Sequence, residues 1–98
     1  MANSKVSIVG LMPGQTHGIK SDYGSAIYLR FIETDTAPSR VQSIASSSDH
    51  VILMTRFIPH DVQNALRKHD GLLFCNGGIS AVKLMLDDIL TTQAPLQL

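Results

Sequence analysis

Four short runs of β-forming residues, each separated from the next by turn residues or a stretch with helical spacing, constrain this chain most. Residues 5–12 (KVSIVGLM) end at Pro13-Gly14, a turn signal. In residues 26–32 (AIYLRFI), Ile27, Leu29 and Phe31 alternate with Tyr28 and Arg30, the pattern of a strand with one covered and one wetter face. Residues 50–57 (HVILMTRF) include a continuously apolar stretch from Val51 to Met54, as expected of a strand buried on both faces. Leu72, Leu73, Phe74 and Cys75 make a fourth, short and wholly apolar strand.

The intervening segments read as helices of unequal strength. Residues 15–25 are polar; Thr16 is placed to cap one or two turns that align Ile19 with Tyr23, with Gly24 as the stop. Thr36-Ala37-Pro38 forms a helix entry, since proline is tolerated in the first turn, and Val41, Ile44 and Ala45 supply its stripe. Val62, Ala65 and Leu66 follow Ile58-Pro59-His60-Asp61 at helical spacing. Ile79, Val82, Met85, Leu86, Ile89 and Leu90 define the strongest amphipathic helix. Residues 91–98 have no clear period and read as a tail, either frayed or adding a small strand to a partner.

Alternation with short links predicts an α/β fold of parallel strands joined by right-handed crossovers. The expected form is a small Rossmann-like, three-layer sandwich, half of a flavodoxin-like fold, with a four-stranded sheet of order 2-1-3-4. The 98 residues are read as one domain with its core in residues 5–90. Lysine plus arginine and aspartate plus glutamate number eight each, so no charge excess points to general nucleic-acid binding. Zero net charge and four strands with open edges favour a homodimer or higher homo-oligomer. A lone cysteine, Cys75, allows no internal disulfide and reads as a buried thiol. With no membrane-length apolar stretch and no signal-like start, the expected location is cytoplasmic.

In open parallel sheets, ligands gather beyond the carboxyl ends of the strands, where strand order reverses. Three predicted loops meet there. Asn76, Gly77, Gly78 and Ser80 lead into a helix whose first N–H groups can receive an anion or a carbonyl, although by itself a tight glycine turn is the plainer reading. Thr55 and Arg56 end the central strand, where arginine can fork onto a phosphate or carboxylate, and His60 starts the next helix. Gly14, Gln15, Thr16 and His17 form a loop able to cover this edge, with ordinary loop roles as the plainer reading. His50 and His69 look structural or solvent-facing, and Asp87-Asp88 reads as a solvated pair. No metal spacing, P-loop, dinucleotide fingerprint or nucleophile–base pair occurs, so no cofactor is expected.

The opening KVSIVGLMPGQ, the segment DHVILMTRFIPH ending at His60, and Gly77-Gly78-Ile79-Ser80 resemble domain-of-unknown-function family 2325, a group of short bacterial α/β domains. Thr55, Ile58 and His60 fit that family's pattern after its buried strand. Arg56 stands where an acidic residue is frequent, and Pro59 where a serine is usual. The resemblance spans Lys5 to about Leu90; it implies the fold and the strand-end rim and supplies no activity. The leading functional expectation is a noncatalytic module that senses or sequesters a nucleotide or another phosphate-bearing metabolite. The alternatives are an oligomeric interaction or regulatory module without a small ligand, and a small enzyme using His60 as acid or base.

Overall fold

The computed structural model describes residues 4–11, 13–33, 36–54 and 60–93. Four strands, β1 (Lys5–Val9), β2 (Tyr28–Ile32), β3 (His50–Met54) and β4 (Leu72–Cys75), alternate with four helices. The helices are α1 (Pro13–Tyr23), α2 (Pro38–Ser46), α3 (His60–Leu66) and α4 (Ile79–Gln93). The strands are all parallel, in the order β2-β1-β3-β4. The expected three-layer α/β fold and its strand order are therefore the ones observed.

Side-chain alternation along the two central strands creates two separate cores. Val6 and Ile8 of β1 and Ile52 and Met54 of β3 face one layer, where Ile19 of α1 and Val82, Leu86 and Ile89 of α4 cover them. Val9, Val51 and Leu53 face the other, against Val41 and Ala45 of α2 and Val62 and Leu66 of α3. Each such side chain taken fully out of water contributes about 1.5–3 kcal/mol, so both layers are needed to hold a two-faced sheet. The edge strands are less covered: Tyr28 and Phe74 are each 54% exposed.

Besides the end of β1 at Val9 rather than at residue 12, three boundaries differ from the sequence expectation. Residues 13–17 are not a loop: Pro13–Tyr23 is one helix of 11 residues, and Thr16 lies inside it rather than capping it. Gly14 and Gly18 weaken this helix intrinsically, but burial of Ile19 and packing of Tyr23 against the core hold it in place. The stop at Gly24 is as expected, with its N–H donating to the Lys20 carbonyl at 2.8 Å. β2 starts at Tyr28 rather than residue 26, after the buried Ile27. Residues 91–93, expected in the tail, continue α4; residues 94–98 lie outside the described residues.

Polar side chains tie the layers together. His69 Nδ1 accepts the Gly71 N–H at 3.0 Å, which leaves the proton on Nε2. Nε2–H then donates to the carbonyls of Ala45, at 2.8 Å, and Ser48, at 3.0 Å. One neutral ring thus joins the chain before β4 to the end of α2, matching the structural reading of His69. On the opposite layer, Tyr23 Oη donates to Asp87 Oδ1 at 2.7 Å and approaches the Lys83 carbonyl at 3.2 Å, while Lys83 pairs with Asp22 at 2.9 Å. Asp87 is therefore engaged by α1 rather than merely solvated.

His69→Ala removes all three ring contacts and should cost about 2–3 kcal/mol in urea unfolding, with nitrogen NMR of the wild type reporting the Nε2–H tautomer. Burial, together with the hydrogen bond and negative charge of Asp87 and the charge of Asp22, pushes the Tyr23 phenol up to about 12. Its contribution to stability is therefore complete below the ordinary tyrosine pKa near 10 and is lost as pH rises through about 12. Phenolate absorbance should show one tyrosine ionising near pH 12, and Tyr23→Phe should delete that transition.

Candidate functional site

The carboxyl edge of the sheet is shaped first by Gly10. Its φ of 104° lies where side-chain-bearing residues are strained, and its N–H donates to the Ile32 carbonyl of β2 at 3.0 Å. This turn ends β1 and sends Leu11 back into the core, ahead of the start of α1 at Pro13. The sequence pattern hid Gly10 inside an apolar run; the only signal was a glycine close before Pro13.

At the other end of the edge, β4 runs through buried Cys75 into exposed Asn76, Gly77 and Gly78. Gly77 has a packing reason: a Cβ there would stand 2.6 Å from the Ala81 Cβ. Gly78 differs. Its carbonyl accepts the N–H groups of Ala81 at 3.1 Å and Val82 at 3.2 Å, which makes it the residue that opens α4. No atom lies within 4 Å of where its Cβ would point. Ser80 is exposed in the first turn of α4.

Topology sets what these residues can share. α1 and α4 cover the same face of the sheet and both begin at its carboxyl edge, so both direct first-turn N–H groups to that edge. His60 is the exposed first residue of α3, on the opposite face. Asp61 follows it, its Oδ1 accepting the Val62 N–H at 2.9 Å. Gly14, Gln15, Thr16 and His17 lie in the first turns of α1, so the covering loop expected there is replaced by a fixed helix start. Thr55 and Arg56 lie outside the described residues.

Cys75 fits its reading as a structural thiol: it is 1% exposed, with Sγ 3.8 Å from the Gly77 carbonyl. Among the described residues, no group of three histidine, cysteine, aspartate or glutamate side chains is placed to hold a metal ion. No described helix is long and apolar enough to cross a membrane. Compared with family models, curated proteins and solved structures, the chain finds no match.

Gly10 and Gly18 should respond oppositely to alanine. Gly10→Ala forces a side chain into a positive φ and should cost about 1–3 kcal/mol. Gly18→Ala, inside α1 with no atom within 4 Å of the new Cβ, should stabilise by about 0.5–1 kcal/mol. Urea midpoints of the two variants against wild type check both signs.

Proposed function

We infer that the protein is a noncatalytic module that binds a small phosphate-bearing ligand, with nucleotides as the first class, at the carboxyl edge of its sheet. The observation that carries this reading is the common origin of α1 and α4 at that edge, on one face of the sheet. The positive end of each helix dipole favours an anion there. The open space beside Gly78 lets a ligand approach the backbone closely. The strand order reverses between β1 and β3, the usual position of the ligand crevice in open parallel sheets. In this reading Arg56 contributes a forked contact to phosphate oxygens and His60 a donor from the other face.

Gly78→Asp separates folding from binding. A carboxylate at this position caps α4 and should leave stability equal or raise it by a few tenths of a kcal/mol, while its charge repels the anion. Thermal-shift titration with mono-, di- and cyclic nucleotides at millimolar concentration should raise the wild-type Tm by several degrees. Gly78→Asp and Arg56→Ala should abolish the rise. A wild type that responds to no nucleotide, or an Arg56→Ala variant that responds like wild type, overturns this reading.

A further inference from the structure

A second concave polar site lies at the opposite, amino end of the sheet, on the face covered by α2 and α3. Its wall is a two-by-two block from neighbouring strands, in which Lys5 pairs with Tyr28 and Ser7 with Arg30. Strand alternation directs all four side chains to the same face as Val9 and Ile32. The core side chains of α2 pack with Val9, Ile32 and β3, and the first half of β2 stays open, leaving Tyr28 and Arg30 exposed. Ser47 and Ser48, just after α2, close a cleft of about 160 Å³.

The floor of this cleft breaks the apolar pattern of β1. Ser7 is fully buried between Val6 and Ile8, and its Oγ lies 2.5 Å from Ser48 Oγ. Ser48 Oγ donates to the Ile44 carbonyl at 3.2 Å, which uses its one proton. Ser7 therefore donates to Ser48, which ties the floor of the cleft to the end of α2. Above it, the Lys5 ammonium and the Arg30 guanidinium have no ion pair among the described residues. The nearby Asp49 carboxylate accepts the Lys5 backbone N–H at 2.8 Å.

The end of α2 would ordinarily repel an anion through its exposed carbonyls. Here two of them are already paired. The Ile44 carbonyl accepts from the Ser47 N–H, the Ser47 hydroxyl and the Ser48 hydroxyl. The Ala45 carbonyl accepts from the Ser48 N–H and from His69 Nε2–H. With the Ile44 and Ala45 carbonyls taken up by donors, Lys5 and Arg30 outweigh the single Asp49 carboxylate beside them.

We propose that this cleft is a binding site for a small hydroxylated phosphomonoester, such as a polyol or sugar phosphate. Arg30 forks onto the phosphate and Lys5 supplies the second charge. The exposed Ser47 hydroxyl, whose own proton goes to the Ile44 carbonyl, accepts a hydrogen bond from a ligand hydroxyl, and the Tyr28 ring flanks the ligand's carbon skeleton. The site shares no residue with the carboxyl edge, so each stands or falls separately.

The test is an amide NMR titration with glycerol 3-phosphate and, separately, inorganic phosphate, with chloride holding ionic strength constant. Saturable shifts are expected at Lys5, Ser7, Arg30, Ser47 and Ser48, with the ester binding more tightly than inorganic phosphate. The double variant Lys5→Gln, Arg30→Gln should weaken both ligands by on the order of tenfold or more. Ser47→Ala should erase the preference for the ester while leaving inorganic phosphate unchanged. Shifts that follow ionic strength alone, that gather at Asn76 to Ser80, or that persist in the double variant overturn the proposal. Equal affinity for phosphate and its ester in the wild type overturns the role given to Ser47.

Discussion

The parallel pairing of β1 with β3 is the constraint on which the rest depends. Both strands are central, so their side chains must be buried on both faces, and neither face closes without its own helix pair. Placing α1 and α4 on one side and α2 and α3 on the other satisfies that demand. The same arrangement brings the starts of α1 and α4 to one edge and the end of α2 to the other. The chemistry available at each edge follows from how the hydrophobic problem is solved.

Much of this was legible in the amino-acid pattern because the relevant signals are local. The continuous apolar run from Val51 to Met54 marks a strand buried on both faces, and Ile79 to Leu90 carries a long helical stripe. The alternation of strand and helix then leaves few ways to order the sheet. α1 was not legible as a full helix because its sequence does not favour one. Gly14 and Gly18 and a mostly polar face carry almost no periodic signal, and the helix exists because Ile19 and Tyr23 find partners in β1, β2 and α4. Tertiary packing overrides propensity there.

The two edges differ in the same respect. Asn76 to Ser80 could be located from sequence because a glycine turn between a strand and a helix is a contiguous motif. The amino-edge cleft could not. Lys5 and Arg30 meet only through the register of β1 with β2, and the Ser7–Ser48 contact joins an apolar strand to the segment just after α2. The single available clue was a serine between valine and isoleucine in the first strand, a position that an otherwise apolar core has no reason to fill with a hydroxyl.

The register of the strands also bears on how the chain reaches this state. Lys5 pairs with Tyr28 and Val51 with Leu72, whereas Val6 pairs with His50, roughly twice as far along the chain as either other pair and so a larger loop to close. The β1-α1-β2 and β3-α3-β4 units are each local, and α2 is the tether between them. The most buried seam of the sheet is consequently its least local one. Contact order makes the joining of two preformed halves, rather than the formation of either half, the slow event in folding.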